Sequence, residues 1–133
     1  MKTPLTVPGA PKAVGPYAQA QVVRLHGGNK MVFTSGQIGL DPATGEMVAG
    51  GLKEQCERVF ANLAAVLAGA GLGFGDAVKA TVYLADMADF AAMNEIYAKY
   101  LGESLPARTT IAALGLPKGA RVEIDLVAIG RDA

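Results

Sequence analysis

Two helix-like segments, each followed by a strand-like run, constrain this fold more than any other feature of the chain. Within residues 52–70, apolar side chains recur at intervals of three and four residues: Cys56, Val59, Phe60, Leu63, Val66, Leu67 and Ala70. A second segment of this kind covers residues 87–101, where Asp86 and Asp89 are suited to cap a helix. Residues 77–84 and 106–113 follow the two segments and favour strands. This order predicts helices that cross over between strands of one sheet.

Three other stretches complete the predicted fold. Residues 18–25 and 31–35 are typical of a hairpin around the turn at His26, and residues 122–129 alternate as a last strand does. Four prolines, at positions 4, 8, 11 and 16, predict an extended, irregular N-terminal arm. We therefore predict one α+β domain over residues 1–133, a mixed sheet with two helices on one face. The other face is predicted to be bare and partly apolar, and further copies of the chain are the simplest way to cover it.

Composition excludes several classes of function. Twelve basic residues balance twelve acidic ones and are scattered along the chain, which argues against a dedicated nucleic-acid-binding protein. The single cysteine, Cys56, cannot form an internal disulfide, and its place on an apolar stripe does not favour a reactive thiol. The one histidine, His26, lies in the hairpin turn, and no metal-binding cluster is available. The sequence lacks a signal peptide and a membrane-spanning run, so we expect a soluble cytoplasmic protein without a membrane partner.

Arg108 and Glu123 are the strongest candidates for chemistry. They lie on two predicted strands fifteen residues apart, so they can meet at a margin of the sheet. A guanidinium binds a carboxylate through two parallel hydrogen bonds, and a glutamate can orient water or accept its proton. The pair suggests a site for a small carboxylic acid in which water takes part. Alternatively, the two side chains pair with each other or face solvent.

Three further features suggest a site less strongly. Tyr17 follows the stiff Gly15-Pro16 bend, and its ring can equally pack on the core. The glycines after the second strand permit a ligand to approach the backbone closely, although loop glycines usually serve the turn. Asn94 interrupts an apolar helical stripe, so its amide faces a polar cleft, a subunit boundary or water.

Several motifs resemble those of the Rid family of reactive intermediate imine deaminases, also called the YjgF family. They follow the family order over nearly the whole chain and are jointly specific. The matching segments are residues 15–17 (GPY), 32–38 (VFTSGQI), 41–46 (DPATGE), 90–97 (FAAMNEIY), 106–110 (PARTT), 116–117 (LP) and 122–124 (VEI).

The resemblance implies a chorismate-mutase-like fold and a homotrimer with ligand clefts between neighbouring subunits. By this resemblance Arg108 grips the substrate carboxylate and Glu123 holds or activates the attacking water. The other positions similar to family cleft residues are Tyr17, Ser35, Gly36, Asn94 and Thr110. Two positions depart from the family: Thr110 is often cysteine, and Gly39 stands where many members have proline, a change expected to loosen the loop.

The implied reaction is hydrolysis of enamines and imines such as 2-aminoacrylate and 2-iminobutanoate to 2-oxo acids and ammonia. It needs no cofactor because the substrate is already activated. A second hypothesis is a trimer that binds a small carboxylic acid, or regulates a partner enzyme, without turnover. RNA cleavage or translation inhibition, also attributed to family members, is the third, and the balanced charge favours it least.

Overall fold

The computed structural model describes residues 1–132, which form an α+β fold as predicted. The six strands are β1 (Lys2–Leu5), β2 (Ala20–Leu25), β3 (Asn29–Thr34), β4 (Ala77–Leu84), β5 (Ala107–Ala112) and β6 (Val122–Arg131). The helices are α1 (Leu52–Gly69) and α2 (Phe90–Leu101). The sheet has the order β1-β2-β3-β6-β4-β5. Neighbouring strands are antiparallel except β4 and β5, which are parallel and are connected by α2.

The core lies between the two helices and one face of the sheet. The apolar stripe of α1 is buried as its spacing predicts, and Val59, Phe60 and Leu63 have no exposed surface. Burying each such side chain contributes about 1.5–3 kcal/mol to folding. Cys56 belongs to this stripe, and its burial raises the pKa of the thiol to about 12. The neutral, inaccessible thiol is a packing group, as the sequence indicates.

The N-terminal arm differs from the prediction of an irregular segment, because Lys2–Leu5 forms the edge strand β1. Pro4 lies opposite Gln21 in the antiparallel pair with β2. A proline is tolerated there because β1 has a neighbour on one side alone, so the missing N–H costs no hydrogen bond between strands. Beyond β1 the arm is held by the buried Gln19, whose side-chain amide exchanges hydrogen bonds with Val7 and donates to the carbonyl of Pro11 at 2.8 Å.

The second helix begins later than predicted. The Asp86 side chain caps the turn, as expected, by accepting a hydrogen bond from the N–H of Ala88 at 2.9 Å. Residues Met87–Asp89 nevertheless form a single 3₁₀ turn, and the α-helix starts at Phe90. A 3₁₀ turn at an α-helix N-terminus is common, and sequence periodicity over one turn cannot distinguish the two forms.

The face of the sheet opposite the helices, called the open face below, is bare and partly apolar as predicted. Phe33, Ile111 and Ile129 project from it and are 38–46% exposed. Glu123 and Asp125 alternate with the core residues of β6 and therefore also lie on the open face. Within residues 1–132, no helix has the length and apolar character needed to cross a membrane.

Candidate functional site

A cleft of about 290 Å³ opens where the N-terminal arm and the loop after β3 meet the start of β6. Four of the residues singled out from the sequence line it: Tyr17, Ser35, Gly36 and Glu123. The remaining lining residues are mostly apolar: Pro11, Lys12, Val14, Gln37, Ile38, Leu40 and Pro117. Such a mainly apolar cleft with a few polar groups is typical of a small-molecule site.

The arm wall of the cleft is fixed by hydrogen bonds to the backbone. The Tyr17 hydroxyl accepts a hydrogen bond from the N–H of Val14 at 3.1 Å, while nearly half of the residue's surface remains exposed. The Ser35 hydroxyl donates to the carbonyl of Ala18 at 2.6 Å, and its backbone N–H donates to the carbonyl of Gln19. Because this hydroxyl is engaged with the backbone, Ser35 contributes to the cleft by shape rather than as a nucleophile.

The loop after β3 is anchored at both ends. Gln37 and Ile124 exchange backbone hydrogen bonds at 2.9 and 3.1 Å, which ties the loop to β6. From α1, the buried Asn62 amide donates to the carbonyls of Ile38 at 3.2 Å and Leu40 at 3.0 Å. The helix therefore determines where this wall of the cleft lies.

Two glycines allow close contacts in the same loop. A Cβ atom at Gly36 would overlap with the carboxylate of Glu123, and a Cβ at Gly39 would lie 2.9 Å from the Cα of Gln55 in α1. Gly39 thus permits the loop to lie directly on the helix backbone. Hydrogen bonds are accepted by Gly39 and by its neighbours Ile38 and Leu40, and the expectation that this glycine loosens the loop stays a prediction.

Glu123 is a half-buried carboxyl group on the open face. Burial raises its pKa, and the negative charge of the neighbouring Asp125 raises that pKa further. Burial likewise raises the pKa of Asp125, although a hydrogen bond from Thr81 and the charge of Lys79 oppose this. In the described part of the chain Glu123 forms no salt bridge, and no group of His, Cys, Asp and Glu could hold a metal ion. A half-buried carboxyl with a raised pKa is a stronger base when ionised than a free carboxylate, which suits it to proton transfer.

Arg108 occupies a different place, under α2. Its Nη1 donates to the Oδ1 of Asn94 at 2.8 Å. The guanidinium carbon lies 4.7 Å from the centre of the Tyr97 ring and 5.6 Å from that of Phe90. Because these three positions on α2 are spaced by four and three residues, they present one face of the helix to the arginine. We call Phe90, Asn94, Tyr97 and Arg108 the arginine cradle.

Thr110 lies beside the cradle on the same face of β5. Thr110 is two residues after Arg108 on β5. In the parallel pair with β4, Arg108 is aligned with Ala80 and Thr110 with the core residue Val82. The Thr110 hydroxyl oxygen is buried, and no hydrogen-bond partner for it lies within residues 1–132. The backbone of β5 is an edge of the sheet, so its outer polar groups are free to bind a ligand or another chain.

Within one chain Arg108 and Glu123 do not meet. Strand β4 lies between their strands, with Ala80 opposite Arg108 and Tyr83 opposite Glu123. Two strand spacings and a shift of three residues separate their backbones by about 14 Å. The two side chains also project from opposite faces of the sheet. The expectation of a shared margin within one chain is therefore wrong, as is the alternative of a direct ion pair. One chain carries two half-sites, the Glu123 cleft and the arginine cradle.

Comparison with known proteins identifies the family. The family model described as "Endoribonuclease L-PSP" matches residues 8–130. The chain belongs to this family. It is the family also called Rid or YjgF, so the resemblance seen in the sequence motifs is confirmed.

Relatives within the family carry different names. The chain is 52% identical over 120 residues to Protein DfrA of Myxococcus xanthus, covering 90% of this chain and 89% of that protein. It is 44% identical over 120 residues to the 2-iminobutanoate/2-iminopropanoate deaminase of Homo sapiens, covering 90% and 84%. The crystal structure of E. coli TdcF with bound serine has a TM-score of 0.85 and 37% identity, covering 96% and 98%.

Sequence reasoning missed the residues that hold these half-sites in place. Phe90 and Tyr97 read as ordinary core positions of α2, although their spacing around Asn94 indicated a shared helix face. Gln19 and Asn62 offered a second indication of structural residues, because an amide at a buried position must find hydrogen-bond partners. What those partners are depends on loops distant in sequence, so the pattern alone could not assign them.

Proposed function

We propose that this protein hydrolyses 2-imino acids and their enamine tautomers to 2-oxo acids and ammonia. The observation that carries the proposal is Glu123, a half-buried carboxyl without a salt-bridge partner in residues 1–132, in a mainly apolar cleft. A carboxyl with a raised pKa is a stronger base when ionised than a free carboxylate and so is suited to proton transfer, which a merely carboxylate-binding pocket does not require. Relatives named as imine deaminases support the same reaction.

The proposed reaction balances without a cofactor. Glu123 takes a proton from water as the water oxygen bonds to the imine carbon, and the C=N double bond becomes a single bond. Glu123 passes this proton to the nitrogen, which gives a neutral carbinolamine. As the carbinolamine collapses, Glu123 takes the hydroxyl proton and delivers it to the nitrogen, the C–N bond breaks, and ammonia leaves while a 2-oxo acid remains. Arg108 binds the carboxylate through its fork of N–H donors. Orientation and proton transfer of this kind contribute a rate enhancement of about 10²–10⁴-fold.

We further propose that the complete site lies between neighbouring chains of a homotrimer. Arg108 and Glu123 lie on opposite faces of one sheet, so both can contact one small substrate only if they come from different copies. Three apolar side chains around the β5 edge support such a contact: Leu105 is 70% exposed, Ile111 46% and Leu114 fully exposed. Light scattering in solution tests the assembly, with three times the chain mass expected.

The test of activity uses the unstable imine directly. Threonine dehydratase supplies 2-iminobutanoate, semicarbazide traps it, and the assay measures how far the protein lowers the trapping rate and releases 2-oxobutanoate. We expect wild type to compete with the trap and Arg108→Ala and Glu123→Gln not to compete. Equal competition by wild type and both variants would contradict the assigned roles.

The second candidate is a trimer that binds a small carboxylic acid without turnover. Its support is the solved relative described with bound serine, an amino acid with the same carboxylate group. Calorimetric binding of 2-oxobutanoate by a wild-type protein that leaves the trapping rate unchanged favours this candidate. Competition with the trap excludes it as the sole function.

A further inference from the structure

We propose that Tyr97 is a positioning residue that orients the Arg108 guanidinium for a two-point grip on the substrate carboxylate. The inference rests on the proposed function of Arg108. The Tyr97 ring contacts the guanidinium and not the Glu123 cleft, so it acts through the arginine.

The contact geometry suits this role. The ring centre lies 4.7 Å from the guanidinium carbon, a distance at which an aromatic face attracts a cation. A guanidinium has five N–H donors in one plane, so a ring against its flat face leaves the donor edges free. Asn94 accepts a hydrogen bond from one guanidinium nitrogen, Nη1, and thereby limits rotation of the guanidinium within its own plane. The remaining donors are available for a bidentate carboxylate.

Of the cradle residues, Tyr97 has the firmest support from the core. It is 4% exposed, and its ring meets the ring of Phe60 edge to face, with centroids 6.0 Å apart and an interplanar angle of 77°. Phe90 is partly exposed and lies farther from the guanidinium, at 5.6 Å. Arg108 itself is on an edge strand with one neighbouring strand. Tyr97 therefore connects a side chain on the sheet margin to the rigid interior.

The ring, and not the hydroxyl, performs this function. The Tyr97 hydroxyl oxygen is buried, and within residues 1–132 it has no hydrogen-bond partner. Burial raises the pKa of this phenol, so it stays neutral, and the nearby Arg108 charge opposes that shift only in part. Tyr97→Phe keeps the ring and removes an unpaired polar atom, so it is the conservative variant that should retain the function.

Tyr100 provides a matched control on the same helix. Its ring stacks on Phe60 at 4.8 Å with an interplanar angle of 12°, and it does not touch Arg108. Tyr97→Leu and Tyr100→Leu therefore both remove an aromatic ring that packs against Phe60. Tyr97→Leu alone also removes the ring that contacts the Arg108 guanidinium. Tyr97→Met is the second variant at this position, for use if Tyr97→Leu does not fold. The flexible thioether of methionine fills irregular core space.

The experiment separates KM from kcat in the 2-iminobutanoate assay. For Tyr97→Leu or Tyr97→Met we expect KM to rise about tenfold with kcat within about threefold, because a substrate-anchoring contact is lost equally from the ground and transition states. Tyr97→Phe and Tyr100→Leu should keep KM within about twofold of wild type. Equal rises in KM for Tyr97→Leu and Tyr100→Leu would overturn the proposal, as would a tenfold rise for Tyr97→Phe.

Calorimetric titration with 2-oxobutanoate separates this inference from the proposed reaction. It measures carboxylate affinity without turnover, and the same order of variants is expected. A wild type that binds 2-oxobutanoate but shows no imine turnover contradicts the deaminase function, and the variant affinities then still decide the role of Tyr97. A wild type that shows neither binding nor turnover overturns both.

Discussion

Arg108 illustrates how the surroundings of a side chain fix its geometry. On an exposed strand a guanidinium is mobile and well solvated, and a salt bridge there contributes little. Here Asn94 accepts a hydrogen bond from one donor, and the guanidinium carbon lies over the rings of Tyr97 and Phe90. The residue type was evident from the sequence, but its orientation depends on contacts with Asn94 and Tyr97 of α2, which the sequence alone does not give. The sequence therefore pointed to Arg108 as a candidate residue but could not give its geometry.

Replacing Arg108 with lysine tests the planar fork rather than the charge. Arg108→Lys keeps a cation but loses the bidentate geometry and the flat surface that rests on Tyr97. We expect KM for 2-iminobutanoate to rise about 10–100-fold in the semicarbazide competition assay. Arg121→Lys is the control, because Arg121 forms a two-point pair with Asp89 outside both half-sites. A KM close to wild type in Arg108→Lys would count against a two-point grip.

The raised pKa of Glu123 predicts a pH-dependent cost to stability. Below its ordinary value near 4.5 the carboxyl is neutral in both the folded and unfolded chains, so it adds no cost. As pH rises through the higher folded pKa, the ionised form is disfavoured in the fold and stability falls. Glu123→Gln should therefore match wild type at acidic pH and exceed it at neutral pH in urea unfolding. Glu95→Gln, on the exposed side of α2, is the control for the loss of a carboxylate.

At the scale of elements, periodicity identified both long helices and five of the six strands. It failed at β1, where prolines suggested an irregular arm, because an edge strand needs few of its own N–H groups. It also could not show that buried amides fix the loops. Asn62 is placed by the helical period of α1, whereas the carbonyls it binds, on Ile38 and Leu40, belong to a loop with no period. Local pattern determines elements, and contacts distant in sequence determine loops.

The Asn62 anchor gives a test at this scale. Asn62→Ala removes the side-chain donor to two loop carbonyls in a buried setting, and within residues 1–132 only that of Ile38 keeps a backbone donor, the N–H of Leu40. We therefore expect a loss of about 1–3 kcal/mol in the free energy of unfolding. Asn94→Ala is the matched control on the other helix, since its partner is the partly exposed Arg108. That variant should raise KM while changing stability little. If urea unfolding gave the same loss in the free energy of unfolding for both variants, the Asn62 hydrogen bonds would not stabilise the fold more than the Asn94 bond does.

For the whole molecule, the important feature is that one chain places Arg108 and Glu123, the two proposed site residues, on opposite faces of its sheet. The sequence showed Arg108 and Glu123 on two successive strands, which suggests neighbours. In the fold β4, from earlier in the chain, pairs with both of those strands and separates them. Strand order arises from contacts that no local pattern encodes, so the separation could not be predicted. The open face, in contrast, follows from the helices lying on one side.

Mixing two inactive variants tests whether the site is shared between chains. Arg108→Ala retains Glu123, and Glu123→Gln retains Arg108, so a contact between the two variants restores an intact site. When the two chains are co-expressed equally and assemble at random in a ring, about a quarter of the sites are intact, and activity should recover to about that fraction of wild type. Arg108→Ala mixed with the double variant should stay inactive. Mixed assemblies, isolated through two different tags, that remain inactive would refute a shared site, because each copy would then have to supply both residues itself.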